Sequence, residues 1–399
     1  MKARHTSPVL LVVAVCLVAA NMRPAITAIG PVLDDIGADI GVPTAVLGLI
    51  SSLVLITWLI VSPFAHDLSR RFGLSRTMLA ALGLLVIGVV VRSIPGASAW
   101  LWIGTIVIGV AIGIGNVLMP AAIKRDFPSR VPVMMGVYSA LLGAFGALAS
   151  GAVVPLAELP FAGGTAGWRF ALLITGGVLL PFAIVAWAAA TRHEPRPAAL
   201  PRGHRHPPTG IWRDPVAWLV AGYMGLQSAT FYILVTWLAA ISTSGGRDAV
   251  TAGFDVMFYQ LVSIVGSLTV PFALRGRLKR LVPALIPLLG AAGTVGLMVA
   301  PDAILVWCAV LGLFSGASLG MALTLMAERA RDHDAATALS GMSQSFGYGV
   351  AALGPVAFGA LYAATGGWGT PLALLLVIML GLSAIGVFAG RESFVLERR

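Results

Sequence analysis

Twelve separate runs of mostly apolar residues divide this chain from end to end, each about the 20 residues that an α-helix needs to cross a bilayer. They fall near 8–30, 44–65, 76–95, 100–122, 132–156 and 168–190, and again near 214–241, 249–273, 281–300, 302–326, 336–363 and 370–390. A backbone in hydrocarbon must satisfy its own hydrogen bonds, so each run is expected to be a helix. Composition matters here because only 11% of the residues are charged and 58% are hydrophobic. Soluble domains carry about 25% charged residues. So little charge cannot cover a water-facing surface, and lipid must be part of the solvent. The expected fold is an all-α membrane protein with 12 transmembrane helices.

The net charge of +10 invites a nucleic-acid reading, but the basic residues do not build one face. They sit in short clusters between apolar runs, the pattern of membrane topology. With the N-terminus inside, the cytoplasmic segments hold Lys2 and Arg4; Arg70, Arg71 and Arg76; and Lys124, Arg125 and Arg130. They also hold the five arginines of 191–213; Arg275, Arg277, Lys279 and Arg280; Arg329 and Arg331; and Arg391, Arg398 and Arg399. Arg92, Arg169 and Arg247 remain outside, and Arg23 lies within the first run. This predicts a multi-pass protein of the inner (plasma) membrane with both termini cytoplasmic, surrounded by lipid and without a nucleic-acid partner. Lys2 and Arg4 before an apolar run imitate a signal peptide. The run continues past Arg23-Pro24 to about Gly30 with no cleavage site, so it is read as a retained first helix. Cys16 and Cys308 lie in distant apolar runs and read as small hydrophobes, not as a disulfide or metal pair.

The chain also repeats. GVAIGIG from Gly109 matches GLFSGAS from Gly312, in the fourth run of each half, and Gly167-Trp168 matches Gly367-Trp368. The polar segment 191–213, rich in Pro, Arg and His, separates the halves and reads as a solvated linker. The expected organisation is therefore a six-helix bundle over 1–190, a cytoplasmic linker over 191–213 and a second six-helix bundle over 214–399. Pseudo-repeated bundles of this kind are built by transporters, with the solute site between halves at mid-membrane.

Several stretches carry a resemblance. HDLSRRFGLS from His66 is similar to the loop between the second and third helices of the major facilitator superfamily, keeping Leu68, Arg71 and Gly73. It departs at His66, where that loop has glycine, and at Arg70, where it has aspartate; Asp67 is the carboxylate left to latch that loop. NMRPAITAIGPVLDDI from Asn21 and GIGNVLMPAAIKRDFP from Gly113 resemble the cyanate porter branch, which includes cyanate transporters and 2-nitroimidazole exporters. The resemblance implies a secondary transporter for a small solute.

Arg23 is the strongest candidate for contact with that solute. It lies a few residues beyond the midpoint of the first run, where an arginine costs about 2.5–3.5 kcal/mol on insertion scales. Pro24 weakens the helix beside it. A guanidinium in a water-filled cavity would grip an anion or a polarised nitrogen–oxygen group by forked hydrogen bonds. The other reading is an outward-snorkelling residue or a brace to Asp34 or Asp35. Polar stripes in later runs offer company: Tyr223 and Gln227; Asp255, Tyr259, Gln260, Ser263 and Ser267; and Ser340, Gln344 and Tyr348. Residues four apart share a helix face, and such faces avoid lipid. Each stripe is read as lining a cavity or bonding between helices, with Gln227, Gln260 and Tyr348 the deepest.

Asn116 and Pro120 in the fourth run suit gating, packing or binding. Tyr138 in the fifth run is placed to close the cytoplasmic side, and Trp58 to wall a cavity or pack. Asp255 is the titratable group available for proton coupling, or else a helix-end aspartate. No Ser-His-Asp set, metal-ligand spacing or phosphate loop appears, so an enzyme, a cofactor and a metal are not expected. The leading expectation is a monomeric carrier of a cyanate-like or small organic anion, with protons as a candidate partner. The alternative is efflux of small aromatic drugs, with Tyr223, Phe231, Tyr232 and Trp237 stacking on the ring.

Overall fold

The computed structural model describes residues 8–161, 164–192, 210–275, 279–331 and 333–396. Most of the expected linker, together with Lys2, Arg4, Arg277, Arg398 and Arg399, lies outside the described residues. Among those described, 12 helical spans are long and apolar enough to cross a membrane, one for each expected run. The protein is an all-α membrane protein; a two-strand antiparallel hairpin, Pro160–Phe161 with Gly164–Thr165, lies in a loop.

The first span is not one helix. α1 (Pro8–Met22) stops before Arg23, α2 (Pro24–Thr27) is a single turn, and α3 (Leu33–Ile40) follows a short tight turn over Gly30–Val32. Then come α4 (Thr44–Phe72), α5 (Leu74–Arg92), α6 (Ala99–Asp126) and α7 (Val131–Ala157). α8 (Gly167–Gly177) and α9 (Leu180–Thr191) share the sixth span, divided next to Pro181. The second half runs α10 (Pro215–Ser244), α11 (Ala249–Ala273), α12 (Val282–Val299), α13 (Ile304–Glu328), α14 (His333–Thr365) and α15 (Gly369–Ala389).

Turn chemistry fixes where these helices start. Gly73 has φ +90°, a backbone that side-chain-bearing residues avoid, which accounts for the glycine in HDLSRRFGLS. Asp214 caps α10 by accepting from the Val216 and Ala217 amides, and Asp248 caps α11 by accepting from Thr251. The repeat holds at Gly167, with φ +77°, but its left-handed counterpart is Gly366, one residue before the glycine matched in sequence.

Contacts divide the chain into two compact units. One is Met1–Ile40 with Ile56–Arg202; the other is Gly41–Leu55 with Gly203–Arg399. The first turns of α4 thus pack in the second unit, unlike the simple division into 1–190 and 214–399. Two contacts account for this. Gly48 lies so close to the Pro355 carbonyl that a Cβ there would overlap it, and Thr236 donates to the Ser51 hydroxyl at 2.8 Å. Within the second unit α11 and α13 cross closely at Gly316, where a Cβ would overlap the Ser263 carbonyl.

Candidate functional site

In the first unit the site grows from the break at Arg23. Pro24 has no N–H, and its ring clashes with the carbonyl of Ala20 four residues back, so α1 cannot continue. Arg23 adopts φ −108° and ψ −37°, and its carbonyl accepts from the amides of Ile26 (2.9 Å) and Thr27 (3.1 Å). Residues 24–30 are buried, whereas Arg23 itself is half-exposed. The short α2 is clamped from two other helices. Thr27 donates to the Gly146 carbonyl at 2.8 Å, and Ser150 donates to the Thr27 carbonyl at 2.9 Å, both on α7. Arg92 of α5 donates to the Ala25 carbonyl at 2.6 Å.

The GIGN stretch of α6 packs on two neighbours. A Cβ on Gly115 would lie 2.7 Å from the Met22 sulfur, and one on Gly113 would lie 3.1 Å from Trp58 Cδ1. These glycines let α1 and α4 approach, and leave Asn116 half-exposed beside them. Trp58 is buried in that packing, and Tyr138 is buried on α7. α6 thus packs on Met22, the residue before Arg23, and on Trp58, while Tyr138 lies two turns before the Gly146 contact with α2.

The second unit supplies neutral polar groups. Buried Gln227 donates from Nε2 to Ser228 Oγ at 2.8 Å and lies 3.2 Å from the Met224 sulfur. Gly347 and Gly225 bring α14 against α10, with a Cβ on Gly347 falling 3.1 Å from Met224. That crossing keeps half-exposed Tyr348 and Gln344 near the Gln227 segment, and Gln344 donates to Ser340 at 2.9 Å. Gln260 is buried on α11, with Nε2 3.4 Å from the Val256 carbonyl. Tyr223 and Tyr259 are fully buried and bond between helices: Tyr223 to the Pro283 carbonyl at 3.1 Å, Tyr259 to Ser315 at 2.9 Å.

Asp255 is 1% exposed, so it is not a solvated helix-end aspartate. Arg247 faces it, with Nη2 2.9 Å from Oδ1 and Nε 2.8 Å from Oδ2, and the Ser242 hydroxyl donates at 2.5 Å. Removing one partner of such a pair strands a buried charge.

The four aromatic residues suggested for ring stacking do not form one surface. Phe231 meets Tyr232 edge-on at 5.1 Å and Tyr259 at 6.4 Å. Trp237 belongs to another cluster with Phe358 and Trp368 and donates to the Pro355 carbonyl at 3.0 Å. Tyr223 bonds to α12 instead. Sequence reasoning also missed Arg92, assigned to the outside by charge counting although it lies within its own apolar run.

Twelve membrane-length helices, with one broken beside a half-exposed cation, define a polytopic membrane carrier. The chain belongs to the Major Facilitator Superfamily, whose family model matches residues 11–351. It is 36% identical over 390 residues to the uncharacterized transporter YycB of Bacillus subtilis, covering 97% of this chain and 95% of that one. It is 37% identical over 388 residues to the 2-nitroimidazole transporter of Escherichia coli, covering 96% of each. Identity to the cyanate transport protein CynX of Escherichia coli is 28% over 377 residues, covering 92% and 94%. A crystal structure of a bacterial homolog of the human lysosomal transporter Spinster, inward-facing and unoccupied, shares the fold at TM-score 0.81 and 15% identity, covering 96% and 97%. The protein is a transporter and not an enzyme.

Proposed function

We propose that this transporter moves a small, compact anion of the cyanate type across the plasma membrane by alternating access, as a monomer. The observation that carries the proposal is Arg23: a half-buried arginine at a proline break, beside a segment clamped by α5 and α7. A site preorganised in this way spends little of its binding energy on ordering itself. Arg23 supplies the positive charge and the forked donors of the first unit. The full-length relation to a cyanate transport protein supports the solute class. Both termini are proposed to be cytoplasmic, because two of the few basic residues on the opposite side are ion-paired, Arg169 to Asp39 and Arg247 to Asp255, and the third, Arg92, is buried.

Efflux of small nitroaromatics is the second reading. The relation to a 2-nitroimidazole transporter and the Phe231–Tyr232–Tyr259 cluster favour it. A nitro group offers the same guanidinium two oxygens, so one experiment separates the readings. Purified protein is melted against a panel of small inorganic and organic anions and against 2-nitroimidazole, then again as Arg23→Ala. Stabilisation by anions that disappears in Arg23→Ala supports the first reading. Stabilisation by 2-nitroimidazole alone supports the second, and hits unaffected by Arg23→Ala remove Arg23 from the site.

A further inference from the structure

Arg92 ends α5 and is 1% exposed. It reaches its position because α5 and α6 nearly touch: a Cβ on Gly104 would overlap the Arg92 backbone, and one on Gly88 would lie 2.8 Å from Ile108. Its side chain turns to the first span, where Nη1 donates to the Ala25 carbonyl. That carbonyl needs a donor from elsewhere. The Ile29 amide, which an unbroken helix would send to it, bonds the Ile26 carbonyl instead at 3.3 Å. Arg92 thus meets the hydrogen-bond deficit left where α2 ends before the tight turn over Gly30–Val32. Its own Nε and Nη2 have no hydrogen-bond partner among the described residues. Burying a guanidinium with two donors unused is costly, and the deficit at Ala25 could be met by a neutral serine or threonine, as Ser150 does for Thr27.

We propose that Arg92 is a positioning residue for solute binding. It holds α2 against α5 so that Arg23 keeps its half-exposed placement, and it adds fixed positive charge at a carbonyl two residues along from Arg23. The role rests on the reading of Arg23 as the anion-binding group. A buried charge that cannot move favours an anion over a neutral solute of equal size, since few mobile counter-ions screen it there.

Initial uptake rates in proteoliposomes, with labelled cyanate as the probe, test this in wild type, Arg92→Met, Arg92→Lys and Arg23→Ala. Arg92→Met is expected to raise KM about tenfold, equivalent to about 1.4 kcal/mol, with the maximal rate per folded transporter nearly unchanged. Arg92→Lys keeps a charge and a donor but loses the fork, and is expected to fall between the two. A wild-type KM in Arg92→Met, or a loss that follows only the amount of folded protein, overturns the proposal. If Arg92→Met does not fold, Arg92→Lys decides: a raised KM supports the role, and an unchanged KM, or failure of both variants to fold, overturns it. Arg23→Ala separates the two ideas. Uptake lost there with KM unchanged in Arg92→Met sinks Arg92 alone, whereas wild-type KM in Arg23→Ala sinks the anion reading and this role together.

Discussion

The first and seventh spans are counterparts in the repeat, yet they solve the same task differently. Gly109 and Gly312 set the repeat 203 residues apart, and carried from Arg23 that offset falls on Leu226, beside Gln227. The first span breaks there into α1 and α2 and carries a cation. α10 instead runs unbroken over 30 residues and carries a neutral amide whose nitrogen is already bonded to Ser228. The difference teaches where each half places its polarity. In the first unit the backbone itself is opened, and its loose carbonyls are met by Arg92, Ser150 and the Ile26 and Thr27 amides. In α10 the helix is unbroken and its polarity is carried by side chains such as Gln227 and Ser228.

Exchanging the two arrangements should give the largest effect. The double variant Arg23→Gln with Gln227→Arg keeps the charge count but moves the cation into a closed, buried helix. Uptake of cyanate in proteoliposomes is expected to fall by at least about 100-fold; near-normal uptake would mean that the break is irrelevant and only the charge matters. Breaking the intact counterpart comes next. Leu226→Pro removes a hydrogen bond and forces a clash in a buried helix, costing about 3 kcal/mol or more, and should be read as loss of monodisperse protein in detergent.

Healing the break is gentler. Pro24→Ala permits the missing helical bond, and is expected to raise the melting temperature while raising KM for the anion several-fold. A variant that gains stability and keeps KM would show that the break serves no binding purpose. Gln227→Leu should cost less still, roughly 0.5–1.5 kcal/mol, the range for one net hydrogen bond, measured as about a two- to tenfold rise in KM.

The smallest effect lies far from both spans. Glu392 is exposed and pairs with Lys279 at 3.1 Å and Arg280 at 3.2 Å, whose hydrogen bonds and charge hold its carboxyl below the ordinary glutamate range. A depressed value means that its stabilisation is present above the ordinary range and is lost as pH falls through the depressed value. Glu392→Gln should melt slightly below wild type at neutral pH and together with it at strongly acid pH, with uptake unchanged at neutral pH.

How much of this was legible in the sequence differs between the same regions. The 12 spans follow from run length alone, because hydrocarbon leaves the backbone no other partner. The break at Arg23-Pro24 was legible for the same local reason: a proline cannot continue the ladder. What could not be read was partnership between helices. Tyr223 and Tyr259 sit on the expected polar stripes, but spacing does not say whether a hydroxyl points to a cavity or to the Pro283 carbonyl and Ser315. The Arg247 partner of Asp255 was hidden because charge counting assigned that arginine to a loop beyond the helix start. Arg92 was hidden by the same counting, although its place inside an apolar run was a signal. The grouping of Gly41–Leu55 with the second unit depends on Gly48 and Ser51 meeting Pro355 and Thr236, distant pairs that no local pattern reports.

The most direct test of the central claim is counterflow. Proteoliposomes are loaded with unlabelled cyanate, diluted into labelled cyanate, and followed without any imposed ion gradient. The account predicts a transient overshoot of label in the wild type, the mark of one site reached alternately from each side, and none in Arg23→Ala. An overshoot that survives Arg23→Ala, or its absence in the wild type with every small anion tried, would contradict it.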